Sequence, residues 1–515
     1  MTKKKIILAM LLILLMLASV VAGVFWHRDN YVLVDMQFYP KGVRYLDLRE
    51  QEISTRHYEK ILRKMPGCEV RWNVPLSDGY WAEDTQTITV TKLTERDISS
   101  MKYLTQLQTV EAEGCTDYRN LLLLQQQWPD LQVNYSVPVG GSQLPGDTKQ
   151  AELCNIGPEE IELLQYLPEL EQVLCSGGQP ETVFGLREYC EAKGVEFLVS
   201  LGGEPITMDT QVVEAEGTTE DQLNLLKFLP KMKELHFREP EIPAERLLQL
   251  RQERPDVAIT WEREFLGQQL TSEMTEIDLS EAEVTDLDKL EAVMAYFPEA
   301  ELVFLGETQL DNDLLAARRD QLRDQYKLVW TVTLGKKLKA RTDDTTFMPV
   351  REHVYYFNDE EAYNLRYCED MVCIDIGHMS ISKIDFVEYM PNLEFLILAH
   401  TQVQYIEPIS TCKNLKFLEL DWSPIRDLTP LQECTALEDL NLGNTYADFT
   451  PVEEMTWLNN LWMIGCSSGA RYRMTNALPG TKVMVTGSAT VDNGWRELDN
   501  YYEMRDLLGM QYMSW

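Results

Sequence analysis

Positive charge is in short supply in this 515-residue chain: 47 Lys and Arg stand against 83 Asp and Glu, for a net charge of −36. A surface that acidic repels phosphate backbones and argues against nucleic acid as a partner. Histidine is scarcer still at six residues, which leaves little material for a His-rich metal site. The ten cysteines are too dilute for a disulfide scaffold. No Cys-x-x-Cys occurs among them, which excludes zinc ribbons and thioredoxin-type redox motifs. Neither His-Glu-x-x-His nor a Walker loop is present. Beyond the first thirty residues, no apolar run approaches membrane-spanning length.

What is present begins with 44% apolar and 25% charged residues, an ordinary balance for a folded chain. At ~150 residues per domain, the length suggests about three domains. Lys3, Lys4 and Lys5 precede an uncharged stretch from Ile6 to Trp26. As a helix that stretch would span about 31 Å, close to the hydrocarbon thickness of a bilayer. The lysines favour a cytoplasmic N-terminus and place the bulk of the chain outside the cytoplasm. A cleaved signal peptide is the alternative, with Val20-Val21-Ala22 as a candidate site. The run is, however, longer than the apolar region of about 7–15 residues usual in such peptides.

Self-comparison reveals a 22-residue repeat. Segments starting at Met371, Leu393, Leu415 and Leu437 align, and a further start at Leu458 comes one residue early. Leu393, Leu396 and Leu398 recur as Leu415, Leu418 and Leu420, an alternation that predicts a strand with its leucines facing one way. Val403, Ile406 and Ile409 recur as Ile425, Leu428 and Leu431. Pro408, Pro430 and Pro451 fall in this returning half, where a short turn-rich segment suits proline. Such short units bury their apolar sides only by stacking. Over 371–465 this pattern resembles the leucine-rich-repeat family, in its bacterial internalin form. Thr401, Ser423 and Thr445 stand where that family commonly has asparagine, and their hydroxyls can bond backbone within the turn. The resemblance implies a curved solenoid whose strand face binds other macromolecules.

Residues 31–345 carry a slower beat. One phrase, aromatic-apolar-Pro, recurs at Tyr166-Leu167-Pro168, Phe228-Leu229-Pro230, Tyr296-Phe297-Pro298 and Tyr389-Met390-Pro391, with Tyr103-Leu104 as a copy lacking proline. A second phrase ends on an aromatic at Trp72, Tyr135, Phe197, Trp261 and Trp330. These recur at near-equal intervals, two to three times the length of the short repeat. Helix signals between them include Gly157-Pro158-Glu159-Glu160 and the capping pattern Thr219 to Gln222. Alternating strands and helices favour parallel stacking. The expected fold is therefore α/β, a leucine-rich-repeat solenoid with a parallel sheet on the concave face, preceded by one transmembrane helix. Its divisions are a 1–30 anchor, a degenerate 31–345 solenoid, an irregular 346–370 insert and connector, regular repeats over 371–465, and a 466–515 cap. The polar stretch Lys336 to Arg351 is read as an inserted hairpin or loop. A separate α/β domain joined to a short repeat domain is the rival organisation.

The non-leucine positions of the strands point to the concave side. Phe395, Ile397, Phe417, Glu419, Trp422, Trp462 and His400 are the candidate ligand-binding residues, since clustered exposed aromatics mark binding surfaces. Cover by a loop or by the insert is the competing reading. His378 and His400 would be neighbours with Asp421 nearby, short of the three or four ligands a metal site needs. Cys412 and Cys434 hold equivalent positions that Met390 and Met455 also fill, which reads as reduced core packing rather than a disulfide. No cofactor and no catalytic residue are expected. The function inferred is a membrane-tethered, extracytoplasmic binding protein for a protein or glycan. A cell-envelope hydrolase with its site in the N-terminal body or insert, and a purely structural spacer, are the alternatives.

Overall fold

The computed structural model describes residues 3–349 and 357–510. The chain opens with the helix Lys3–Asn30, the one described helix long and apolar enough to cross a membrane. The rest divides into two compact units. One runs to Pro243 and adds Arg251–Ile259; the other takes Ala244–Leu250 and continues from Thr260.

In the second unit the short repeat is a physical coil. Strands Thr346–Phe347, Cys373–Asp375, Phe395–Ile397, Phe417–Glu419, Asp439–Asn441, Asn460–Trp462 and Lys482–Met484 form one seven-stranded sheet. Every pairing is parallel and in register, so Phe395 stands beside Phe417 and Leu396 beside Leu418. The return halves are short 3₁₀ helices, Glu407–Thr411, Thr429–Glu433 and Thr450–Glu454, each with a proline near its start. Proline costs nothing there because the first turn of a helix has no use for its missing N–H. The leucines of strand and return meet in one continuous buried core. Thr401, Ser423 and Thr445 are buried and donate at 2.8 Å to the carbonyls of Leu398, Leu398 and Leu442. A hydroxyl thus suffices to satisfy the turn.

The slower beat also has a structural meaning. In the first unit, parallel strands Thr87–Thr89, Thr109–Glu111 and Gln132–Asn134 are followed by an antiparallel hairpin, Ser136–Val139 with Ser142–Pro145. A new parallel set then starts: Gln150–Cys154, Gln172–Gly177 and Glu196–Val199. The second unit repeats the arrangement with Glu276–Asp278, Leu302–Phe304 and Lys327–Val329, then the hairpin Thr331–Leu334 with Leu338–Arg341. In both places a long beat is three coils closed by a hairpin; the first beat of the chain is shorter, with two parallel strands, Tyr45–Asp47 and Glu69–Arg71, before the hairpin Asn73–Leu76 with Gly79–Ala82.

The two recurring phrases meet across these hairpins. Trp72 packs edge-on to Tyr103 at 5.7 Å and Phe197 on Phe228 at 6.2 Å, while Trp330 packs at 6.1 Å on Tyr367, one coil before the Tyr389 phrase. The Tyr135 hydroxyl donates to the Tyr166 carbonyl at 2.7 Å, and Trp261 Nε1 to the Tyr296 carbonyl at 2.6 Å. These aromatics are buried against the next set of coils; Tyr135 and Trp261 satisfy their polar atoms on backbone carbonyls, Trp330 Nε1 donates to Asn312 Oδ1 at 2.8 Å, and Trp72 Nε1 is buried without a partner among the described residues.

Two expectations need correction. Lys336 to Arg351 begins with a true hairpin, but 346–370 is no irregular insert in its described part. Thr346–Phe347 is the first strand of the seven-stranded sheet, and the helix Asp359–Tyr363 with the 3₁₀ turn Asn364–Tyr367 forms a return half. Residues 350–356 of that segment lie outside the described residues. The helix expected from Thr219 is a 3₁₀ helix, Glu220–Phe228, although the Gln222 side chain does accept from the Thr219 N–H at 2.9 Å.

All ten cysteines are free thiols, and nine are buried. Cys412 and Cys434 donate weakly to the carbonyls of Val387 and Ile409. Burial pushes their thiols up, to about 11 and about 12. Cys154 is the exposed one. Iodoacetamide at pH 7.5 is therefore expected to alkylate Cys154 alone in the native protein, because buried thiols are both shielded and protonated. Peptide mapping that finds Cys412 or Cys434 labelled in the folded state would contradict this packing.

Candidate functional site

The face of the seven-stranded sheet opposite the leucine core holds the candidate ligand residues, and the structure separates them into two groups. Phe395, Phe417 and Trp462 are completely buried, and Ile397 and Glu419 nearly so. Their expected exposure is overturned by the chain itself. After the last strand, the 3₁₀ turn Trp495–Glu497 and the helix Asp499–Leu507 fold back over this face. The segment expected to cap the open end thus supplies the last coil and also covers the sheet.

The cover is an apolar core of its own. Phe395, Phe417, Trp462, Trp495 and Met504 form a buried cluster joined by Leu498, Tyr501 and Leu508. The Trp495 ring lies 4.8 Å from Phe417 and 5.1 Å from Trp462. Polar contacts fix its register. Trp495 Nε1 donates to Glu419 Oε1 at 2.6 Å, and the Thr490 hydroxyl donates to Asp421 Oδ2 at 2.6 Å. Trp462 Nε1 donates to the Asp492 carbonyl at 2.7 Å, and Asn500 Nδ2 to Asp439 at 2.9 Å.

Four acidic side chains sit on this sheet face, and their surroundings set their protonation. Burial pushes the Glu419 carboxyl up to about 8, with the Asp421 charge adding to it and the Trp495 hydrogen bond opposing. Burial likewise raises Asp375, Asp421 and Asp439 above the usual carboxylate range. A protonated carboxyl is the cheaper form where water is excluded.

Trp422 and His400 remain open. Trp422 is 54% exposed. The rings of His378 and His400 stack at 4.5 Å and 14°, and those of His400 and Trp422 at 5.8 Å and 19°. These residues follow their strands at the same place in consecutive coils, and their N–H groups continue the ladder to the next coil at 2.8–3.0 Å. Each sits in left-handed backbone, with φ of 64°, 58° and 56° for His378, His400 and Trp422. Equivalent turns elsewhere use Gly114, Asn155, Gly217 and Gly465, residues for which that conformation is cheap, and in one coil Glu239, with φ of 45°. Burial, then the His378 ring, holds the His400 pKa below its usual value, against the pull of Asp421.

Other candidates are weaker. No group of three or more His, Cys, Asp or Glu among the described residues is placed to hold a metal; His400 Nε2 and Asp421 Oδ2 are 3.9 Å apart. Gly465-Cys466-Ser467-Ser468-Gly469 spells the Gly-x-Ser-x-Gly pattern of serine hydrolases. In the structure Ser467 is the N-cap of the helix Ser468–Ala477 and accepts from the Ala470 N–H at 3.2 Å. That is a structural task.

The class these coils define is the leucine-rich-repeat solenoid: parallel strands in register, leucines inward and short 3₁₀ returns. Neither a protein-family model nor a curated protein matches the chain. Solved structures similar to it are leucine-rich-repeat proteins. An internalin (inlF) from Listeria monocytogenes is 11% identical, with 84% of this chain and 94% of that one covered, at a TM-score of 0.22. Internalin C2 from the same organism is 16% identical over 29% of this chain and 76% of its own, at 0.22. A leucine-rich-repeat protein of Leptospira interrogans is 12% identical over 76% and 93%, also at 0.22. Superpositions that loose carry no weight beyond the likeness; the repeat architecture stands on the chain's own register.

Proposed function

We propose that this chain is a membrane-tethered, extracytoplasmic leucine-rich-repeat protein that binds a protein or glycan by surface complementarity and carries out no covalent chemistry. The ligand surface proposed is the open ladder His378, His400 and Trp422. The observation that carries this reading is the strain at these positions. A left-handed conformation at a residue other than Gly, Asn or Asp costs about 1–2 kcal/mol, and here it is spent on two imidazoles and an indole stacked in register. Strain of this kind is characteristic of sites where the side chain is used. The stacked rings turn their faces to one another and present their edges and ring N–H groups outward, a rigid rim that a sugar's hydroxyls or a partner's side chain can contact. The helix Lys3–Asn30 supplies the tether, with Lys3, Lys4 and Lys5 on the cytoplasmic side.

The test compares wild type with a His400→Ala/Trp422→Ala variant, on a glycan array and in crosslinking on intact cells. The variant is expected to lose at least about tenfold in recovery of the wild-type ligand, since a central aromatic anchor contributes about 2 kcal/mol or more. Equal recovery would remove the ladder as the site. Absence of any ligand for wild type in both formats would favour a structural spacer.

A further inference from the structure

The region where the chain leaves its apolar helix differs in charge from everything after it. From Arg28 to Arg71 there are nine basic and seven acidic side chains, a net +2; from Trp72 onward there are 35 basic and 76 acidic, a net −41. Within this island an open pocket of about 400 Å³ is lined by Val32, Lys41, Arg44, Lys64, Met65 and Gly67, among others. Lys41 Nζ donates to the Arg28 carbonyl at 2.5 Å and Lys64 Nζ to the Leu33 carbonyl at 2.7 Å. Lys41, Arg44 and Lys64 make no ion pair among the described residues. In a chain with such an excess of carboxylates, three cations that line one pocket without an ion pair are poised for an anion from outside.

The neighbouring surface is apolar. The strands Tyr31–Val34 and Gln37–Pro40 form an antiparallel hairpin that starts at the residue after the helix. Val34 and Tyr39 face inward and are buried, whereas Leu33 and its cross-strand partner Phe38 are exposed. Met36 projects from the turn, 86% exposed. The hairpin is held to the end of the helix. Phe38 lies 5.1 Å from the His27 ring, Tyr31 lies 5.9 Å from Trp26, and the Lys41 N–H donates to the Asn30 carbonyl at 2.7 Å. Aromatic rings at the end of an apolar helix, beside exposed apolar side chains and free cations, match the layers of a bilayer surface.

We propose that residues 31–68 form a docking site for anionic phospholipid. Leu33, Met36 and Phe38 enter the interfacial layer, and a headgroup phosphate sits in the pocket of Lys41, Arg44 and Lys64. The site rests on the reading that Lys3–Asn30 spans the membrane, and it adds that the first folded element lies against the lipid.

The full chain, reconstituted in nanodiscs, tests this by hydrogen exchange. Amides of 31–40 and 61–68 are expected to exchange at least about tenfold more slowly in discs containing phosphatidylglycerol than in pure phosphatidylcholine. A Lys41→Gln/Arg44→Gln/Lys64→Gln variant is expected to lose that difference. Raising NaCl from about 0.05 to about 0.5 M is expected to erase it in wild type, through screening, which keeps the test open if the triple variant misfolds. Equal exchange in the two lipids, or protection that ignores salt, overturns the docking site while leaving the tether intact. Protection reproduced by inorganic phosphate in phosphatidylcholine discs reassigns the pocket to a free anion and overturns the lipid. A chain that is not retained by the discs overturns both readings.

Discussion

Trp495→Ala is expected to release the C-terminal cover from the sheet, at a cost of about 3–5 kcal/mol to its docking. The indole is fully buried, touches Phe417 and Trp462, and donates to Glu419. Its removal leaves a cavity at the centre of the apolar contact between the two faces, and it leaves the Glu419 carboxyl without its donor. Both costs fall on the same small contact. The leucine core behind the sheet is a separate cluster, so the coils themselves are expected to remain folded. Hydrogen exchange should therefore rise over 486–508 while the strands from Phe395 to Trp462 keep their backbone protection, and a hydrophobic dye should gain a site. Unchanged protection over 486–508 would show that Trp495 does not hold the cover. Loss of protection over the whole unit would show that cover and coils fold as one.

The second large effect is one of pH. Glu419, whose carboxyl accepts from Trp495 of the cover, has a pKa raised to about 8, and Asp375, Asp421 and Asp439 are raised with it, in each case chiefly by burial. A carboxyl whose folded pKa is raised binds protons in the covered state that it would release in the open one. Its contribution is therefore whole below the ordinary carboxylate value and is lost as pH rises toward about 8. At about 1.36 kcal/mol per pH unit, the Glu419 carboxyl alone should weaken docking of the cover by a few kcal/mol between pH 5 and pH 8. Glu419→Gln removes its share of that slope while retaining an oxygen that can accept from Trp495. The variant should hold the cover more tightly than wild type at pH 8 and about equally at pH 5. Exchange of 486–508, corrected for the intrinsic rate, measures this locally. Identical slopes for the two proteins would mean that Glu419 does not carry the dependence.

Leu396, Leu398, Leu418 and Leu420 could be assigned to the core from spacing alone, because an alternation of period two that returns once per coil has only one efficient burial. The same 22-residue spacing puts His378, His400 and Trp422 in one column. It did not reveal that they stack, since the left-handed turn that aims their rings is a property of the coil-to-coil hydrogen bonds. The phrases ending on Trp72, Tyr135, Phe197, Trp261 and Trp330 were visible as a rhythm. Their role in closing hairpins depends on contacts with the following phrase, a coil or more further along the chain.

The cover over the sheet face is hidden from short-range pattern for a related reason. Phe395, Phe417 and Trp462 read as an apolar surface lacking a partner, and the residues that cover them, Trp495, Leu498 and Leu508, come only after the last strand. Nothing local says that two stretches so far apart in the chain are partners of each other. The amino-acid order alone therefore determined the repeat, its period, its inward leucines and the apolar N-terminal helix, all of which follow from short-range patterning. Tertiary structure alone decided which strand-face residues stay open. That outcome depends on where the chain goes after its last coil, and burial of apolar area against apolar area is non-directional until the backbone brings the two faces together.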